Sequence, residues 1–246
     1  MRWSGMTEQF TVWHHDTIGS TNDEARRLAQ EGAPHGTVVH ADEQTSGRGR
    51  MAHTWFSPPG NLYLSILLRT GQPAARVAEL SFVAALSVAD TVEALLPRQT
   101  RAMLKWPNDV LINGAKIAGI LLEQLDDATV LGIGVNVLEA PSNAAYKTTT
   151  IVANGGIASV DGARDILLDR LGRHLLTWRT DGFEPIRTQW LGRSYPVGAA
   201  IRATSAGQPV AGHFAGLDVD GALLLDTPDG RLRIVAGDVV PTGGSV

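Results

Sequence analysis

Apolar residues recur along this chain with two different spacings, and the switches between them outline its organisation. Phe10 to His14 reads as a short strand. Thr21-Asn22-Asp23-Glu24 has the capping-box spacing, and Ala25, Leu28 and Ala29 follow at helical spacing until Gly32 and Pro34 stop the helix. Thr37 to Ala41 predicts a strand, and Leu62 to Leu68 is a nearly unbroken apolar run of the kind a buried strand shows. Ala75 to Leu96 predicts one long helix, with Val77, Leu80, Ala84, Val88, Val92 and Leu95 near one face. Met103 to Trp106 is a strand closed by Pro107, and Thr129 to Val137 is another. Between them, Val110 to Ile112 and Lys116 to Glu123 flank Asn113-Gly114, a strong hairpin signal. Residues 139 to 160 have no period and predict a mobile loop. Asp161 then caps a predicted helix through Leu167, Leu171, Leu175 and Trp178, ending near Gly182, with a short helix from Pro185 to Leu191.

After about Tyr195 the texture changes to short alternating stretches separated by Gly, Asp and Pro turns, the pattern of a small all-β barrel. The expected architecture is therefore α+β: a mixed β-sheet with helices on its face over residues 1–194, and a C-terminal β-barrel over residues 195–246.

Composition narrows the function classes. The 246 residues are 43% hydrophobic and 19% charged, as in an ordinary folded soluble protein, and a chain of this length buries its core without crosslinks. The absence of cysteine excludes disulfides and thiolate metal sites and fits a reducing compartment. A formal net charge of -4 argues against a compact nucleic-acid binder. No apolar run approaches the roughly 18 residues that span a bilayer, and Met1 to Met6 lacks the apolar core of a signal peptide, so the expected location is the cytoplasm. The seven histidines are scattered without zinc-ligand spacing, and His14-His15 would point to opposite faces of a strand. Nucleophile-elbow, Walker and dinucleotide-binding glycine motifs are all missing.

Five clusters carry candidate chemistry, each with a plainer reading beside it. In Gln44-Thr45-Ser46-Gly47-Arg48-Gly49-Arg50, two arginines two residues apart converge on one anion if the loop is extended; otherwise this is an exposed basic turn. Ser20-Thr21-Asn22 is a helix N-cap, or a set of hydroxyl and amide groups holding a polar ligand. Lys105-Trp106-Pro107-Asn108-Asp109 is a turn over a buried tryptophan, or a phosphate-facing lysine beside a carboxylate suited to Mg²⁺. Lys116, opening the strand Lys116 to Glu123, guards a sheet edge or faces a reacting anion, with Gly119 leaving room for it. The glycines of Gly132-Ile133-Gly134-Val135-Asn136 serve packing or close ligand approach.

Taken together and in this order, the clusters resemble the biotin protein ligase family, whose motifs are Ser-Thr-Asn, Gly-Arg-Gly-Arg, Lys-Trp-Pro-Asn-Asp, Lys-x-Ala-Gly-Ile-Leu and Gly-x-Gly-x-Asn. Each motif is short, but five in register from residue 16 to 138 are specific. The resemblance implies a class II synthetase-like biotin/lipoate ligase catalytic domain with a small SH3-like C-terminal barrel. It implies an ATP-dependent enzyme that forms biotinyl-5'-AMP and pyrophosphate, then transfers biotin to a lysine of the biotin carboxyl carrier domain of a carboxylase. By carry-over, Ser20, Thr21, Asn22, Gln44, Gly47, Arg48, Gly49, Arg50, Lys116 and Gly119 bind biotin. Arg50, Trp55, Lys105, Lys116 and Asn136 bind the nucleotide, and Arg48, Arg50, Lys116 and Asp109 are catalytic. Mg²⁺ accompanies ATP, with Asp109 its one candidate protein ligand or else a proton acceptor. The alternatives are a lipoate–protein ligase and a non-catalytic biotin-binding regulator. Some members carry an N-terminal winged-helix DNA-binding domain; 19 residues before Ser20 are too few for one, so no specific DNA binding is expected. Three departures stand out. Met51-Ala52-His53 replaces a further Gly-Arg step, Leu138 stands where a second Asn is common, and no tryptophan follows to stack on adenine.

Overall fold

The structure is a computed structural model that describes residues 8–142, 144, 146–157, 159–205 and 207–241; the N-terminal hexapeptide lies outside them. Its larger unit is a seven-stranded sheet of order β1-β2-β3-β7-β6-β5-β4, formed by β1 (Thr11–Ile18), β2 (Thr37–Gln44), β3 (Leu62–Leu68), β4 (Ala102–Lys105), β5 (Asp109–Ile112), β6 (Ala115–Gln124) and β7 (Thr129–Val135). β1 and β2 are parallel and the other neighbours antiparallel, so the sheet is mixed as expected. Asn113 (φ 50°) and Gly114 (φ 74°) make the turn between β5 and β6, both left-handed, which is why Asn-Gly signals a hairpin.

Both faces of the sheet are covered. Helix α1 (Thr21–Gln30) packs Ala25, Leu28 and Ala29 on Val39, Leu67 and Val130. On the other face lie α2 (Ala74–Val77), α3 (Leu80–Leu95), α4 (Val160–Asp181) and α5 (Glu184–Leu191), over a larger core that includes Val38, Leu64, Ile66 and Leu131. The near-continuous apolar sequence of β3 follows from this: it is buried on both sides. Where α1 does not cover its face, the sheet floor is exposed to a cavity.

Several local expectations change. The predicted long helix is broken between Val77 and Leu80, and α3 is buried nearly all round rather than along one stripe. The cap of α1 is Ser20, not Thr21, and no capping box forms because the Thr21 hydroxyl is engaged elsewhere. The cap of α4 is Ser159, which accepts from the Gly162 amide, rather than Asp161. The expected mobile loop is pinned along much of its length: Lys116 N–H donates to Lys147 O, and the Thr149, Ile151 and Val152 amides donate to Lys116, Asn136 and Val137. Asn143, Ala145 and Ala158 of that loop lie outside the described residues.

The C-terminal unit is a five-stranded antiparallel sheet of order β11-β10-β9-β8-β12, from β8 (Ala200–Ser205), β9 (Gln208–Leu217), β10 (Leu223–Thr227), β11 (Gly230–Ile234) and β12 (Val239–Pro241). Its Ile201, Phe214 and Leu225 belong to the same apolar cluster as the main core. Among the described residues, no helix is long and apolar enough to cross a membrane.

Candidate active site

A cavity of about 560 Å³ opens on the α1 face of the sheet, beside the N-terminus of α1. That volume suits a ligand of several tens of atoms. Its floor is β6 and β7, where glycines replace side chains. Gly119 and Gly134 are cross-strand partners, and the Trp55 indole lies over both. A Cβ on Gly134 would sit 2.5 Å from Trp55 Nε1, and one on Gly119 2.9 Å from Cζ3, so only glycine leaves room for the ring. Gly132, two residues back on β7, gives the same room to the Asn22 amide.

One end of the cavity is a neutral polar cluster. Ser20, Thr21 and Asn22 are all buried at the start of α1. Gln44 Oε1 accepts from the Thr21 amide (2.9 Å) and hydroxyl (3.1 Å), while Gln44 Nε2 donates to Ser57 Oγ (3.0 Å). Ser65 Oγ lies 2.8 Å from Thr21 Oγ1 and 2.5 Å from Asn22 Oδ1, and Asn22 Nδ2 donates to Glu123 (2.8 Å). Donors and acceptors are therefore fixed in place before any ligand arrives.

The other end is charged. Lys116 Nζ is 2.6 Å from Asp109 Oδ1, and Lys105 Nζ is 3.1 Å from Asp109 Oδ2 and 2.9 Å from Asp238 Oδ1. Burial alone would lower the Lys105 pKa, but Asp109 and Asp238 outweigh it and hold it above the usual lysine value. The Lys116 ammonium also sits over the rings of Trp55 (5.3 Å) and Tyr146 (5.2 Å). Asn136 is buried nearby, donating to Thr149 O.

The arginine loop covers the middle. Gly49 N–H donates to His53 O and Trp55 N–H to Gly47 O, closing the loop on itself, and the buried Gly47 lies against Ser57 and Gln44. Arg48 and Arg50 both line the cavity but do not meet at one point. Arg48 pairs with Asp23 (2.5 Å) and faces Glu123 (3.6 Å); Arg50 reaches the other way, to Asn108 Oδ1 (3.3 Å) and Gly237 O (3.2 Å). The expected convergence fails because the chain turns into a short 3-10 segment at Arg50 instead of staying extended.

A floor of glycines, a preset polar end and a lysine-rich end are the geometry that the five motifs specify between them, and sequence comparison assigns it. The description Biotin/lipoate A/B protein ligase family matches residues 15–138, half of the chain. The chain belongs to that family. The Biotin protein ligase C terminal domain matches residues 197–240 of this ligase-family chain as well. It is 39% identical over 231 residues to a biotin–[acetyl-CoA-carboxylase] ligase of Paracoccus denitrificans, covering 89% of this chain and 96% of the relative. To a bifunctional ligase/repressor BirA of Bacillus subtilis it is 35% identical over 242 residues, 92% of this chain and 72% of the relative. A biotin protein ligase from Aquifex aeolicus, solved in complex with biotin and ATP, superposes with a TM-score of 0.83 at 27% identity, covering 94% of this chain and 99% of that one.

At the tip of the arginine loop Met51 holds a left-handed conformation (φ 52°) that costs a non-glycine residue about 1–2 kcal/mol. Several residues of the site had no assigned role in the sequence. Ser65 is the one polar residue inside an apolar strand, a readable signal. Ser57, Tyr146 and Asp238 reach the site from loops and from the C-terminal unit with no local pattern to mark them.

Proposed function

We propose that this chain is an ATP-dependent biotin protein ligase that forms biotinyl-5'-AMP and pyrophosphate and then biotinylates a lysine of a carrier domain. The observation that carries this reading is the polarity of the cavity. Biotin is a neutral ureido ring at one end and a carboxylate at the other. Thr21, Asn22, Gln44 and Ser65 supply fixed donors and acceptors for the ring, with Ser20 and Gly47 shaping the pocket. The apolar middle, a thioether ring and an aliphatic chain, packs against the Trp55 indole that Gly119 and Gly134 seat on the floor. The lysine-rich end meets the carboxylate and the nucleotide.

In adenylation the carboxylate oxygen forms a bond to the α-phosphorus of ATP and pyrophosphate leaves with the electron pair. Negative charge crowds around phosphorus, and cations fixed in advance stabilise it most. Lys116 takes that position, held by Asp109. Arg50 and Lys105 serve the phosphates, and Asn136 and Trp55 the nucleoside side. Arg48 and Gly49 cover the adenylate, and Arg48 must exchange Asp23 for the ligand to do so. Asp109 is the orienting group for two lysines. It does not fit as a Mg²⁺ ligand, since both its oxygens face ammonium groups, and no step here depends on Mg²⁺ at that carboxylate. In transfer, the carrier lysine's neutral amine attacks the acyl carbon of the mixed anhydride and AMP departs. The relatives named for acetyl-CoA-carboxylase support a carboxyl carrier domain as acceptor. The reading places the enzyme in the cytoplasm and the boundary between its two units at residues 194/195.

Pyrophosphate release on mixing the protein with ATP and biotin, or with ATP and lipoate, is the test. Release with biotin and label on one carrier lysine is expected. Release only with lipoate would reassign the substrate, and folded protein releasing none would make it a regulator. Match of the C-terminal unit to a biotin protein ligase domain favours biotin.

A further inference from the structure

On the opposite face of the sheet, a cluster of side chains lies outside the ligase site. β1 and β2 run parallel with His14 directly beside His40, so both imidazoles leave the sheet on one side, and Asp42 follows two residues later on that side. The face is the one that carries Val38 into the main core, away from the cavity. The two rings are 5.3 Å apart between centroids, and His14 Nε2 is 3.0 Å from Asp42 Oδ1. One ligand atom from each of the three residues lies within 4.8 Å of the other two. His40 is only 1% exposed, yet neither of its ring nitrogens has a hydrogen-bond partner among the described residues. Buried polar atoms are rarely left so, because an unmet donor or acceptor costs about 1–3 kcal/mol.

We propose that His14, His40 and Asp42 form a binding site for a divalent first-row transition ion, Zn²⁺ foremost. Two imidazole nitrogens and one carboxylate oxygen are a donor set for Zn²⁺, Co²⁺ or Ni²⁺, whereas Mg²⁺ takes oxygen alone. Two ligand atoms each about 2.0–2.2 Å from a shared ion sit about 3.3–3.6 Å apart at a tetrahedral angle, so the 3.0 Å pair of His14 and Asp42 need open by only a few tenths of an ångström. Three protein ligands leave the fourth position to water. The ion gives a ring nitrogen of His40 the partner it lacks. Arg164 of α4 bears on His40 and opposes a cation, but it is ion-paired to Asp161 (2.6 Å) and Asp165 (2.8 Å). One cation thus faces three carboxylates, counting Asp42. Since one ligand is on β1 and two are on β2, the bound ion ties the edge strand to the sheet.

The histidines show no zinc-ligand spacing along the chain because these ligands are brought together by the register of two parallel strands rather than by spacing along one segment. The test is calorimetric titration of ZnCl2 into the full-length protein, stripped with chelator, with excess Mg²⁺ present and no nucleotide. One equivalent should bind. His14→Ala and Asp42→Asn, both at half-exposed positions, should each weaken binding by at least about tenfold, the low end of what even a supporting group at a metal site is worth. His213→Ala, on exposed β9, should not. No stoichiometric Zn²⁺ uptake by the wild type, or uptake undiminished in both ligand variants, would overturn the proposal. If a variant fails to fold, the visible absorption of Co²⁺-loaded wild type decides: a four-coordinate spectrum supports the site and a hydrated six-coordinate one refutes it.

Discussion

Gly132→Ala is the sharpest probe of the polar end of the cavity. The added methyl would overlap Asn22 Oδ1, with Asn22 Cγ only 3.0 Å away. Asn22 cannot easily yield. Its Oδ1 accepts from Ser65 at 2.5 Å, its Nδ2 donates to the Glu123 carboxylate at 2.8 Å, and both Asn22 and Ser65 are buried. Moving it breaks a neutral hydrogen bond worth about 0.5–1.5 kcal/mol and one to a charged group worth about 1.5–3 kcal/mol. The sum, about 2–4.5 kcal/mol, is lost from the folded protein, while the displaced Asn22 also forfeits one polar contact to the ureido ring, worth about 0.5–1.5 kcal/mol or roughly 2- to 12-fold in biotin affinity at about 1.4 kcal/mol per decade. Folding should suffer more, by that sum less the about 0.4–1 kcal/mol that alanine in an extended strand returns by restricting the unfolded chain. Calorimetric biotin binding, with a circular-dichroism melt as control, measures both. The decisive comparison is the double variant with Asn22→Ala. Removing the amide removes the clash, so the double variant should bind no worse than Asn22→Ala alone, a strongly non-additive result. Unchanged biotin affinity in Gly132→Ala, or simple additivity in the pair, would refute the reasoning.

Three further outcomes follow from the charged end and the loop. Lys116→Ala should slow adenylation by orders of magnitude in a pyrophosphate-release assay with little change in melting temperature; β6 is paired on both sides, which removes the edge-guard reading, so normal adenylation would reduce Lys116 to a structural partner of Asp109. Arg48→Ala and Arg50→Ala should each shorten the lifetime of the bound adenylate about tenfold or more, at about 1.5–3 kcal/mol per charge-assisted contact, with Arg48→Ala the milder because Arg48 must first leave Asp23. The isolated protein, with its net charge of -4, should give no salt-resistant, sequence-specific gel shift with DNA, and observing one would contradict the ligase-only reading.

What could be read from the sequence was whatever the backbone imposes locally. Asn113-Gly114, Gly119, Gly132, Gly134 and Pro107 sit where the chain turns or another group comes close, so residue type and conformation match at one position. The strands and most helices were legible for the same reason. Caps were less so: Thr21 and Asp161 had the right chemistry, but Ser20 and Ser159 stood one and two residues earlier, and tertiary bonds to Gln44 and Ser65 claimed the Thr21 hydroxyl. Arg48 and Arg50 both line the cavity, but they do not converge, because their directions depend on Asp23 and Gly237, which lie 25 and 187 positions away. Asp238 was invisible because its role exists only through the packing of the two units.

That packing also changes how the C-terminal unit has to be tested. Every biotin motif lies upstream of it, so deleting residues 195–246 looks like a clean way to separate biotin binding from ATP use. The contacts argue otherwise. Trp106, inside the Lys-Trp-Pro-Asn-Asp motif, donates its indole N–H to Gly221 O, and a Cβ on Gly221 would lie 2.6 Å from the Phe82 ring of α3. Arg187 of α5 donates to Leu217 O, and Ile201, Phe214 and Leu225 share one core with Leu64 and Ile66. Deletion would therefore expose the main core and leave the Trp106 indole without its acceptor, destabilising the fold before it reports on the reaction. Asp238→Asn keeps an oxygen that can accept from the Val239 amide (2.8 Å) and removes the charge from the 2.9 Å pair with Lys105. It leaves Lys105 with Asp109 as its remaining anionic partner among the described residues, so it should raise the KM for ATP while biotin affinity and melting temperature stay near wild type. Equal effects on ATP and biotin would mean that the C-terminal sheet acts through overall stability and not through the charge chain that runs from Asp238 to Lys116.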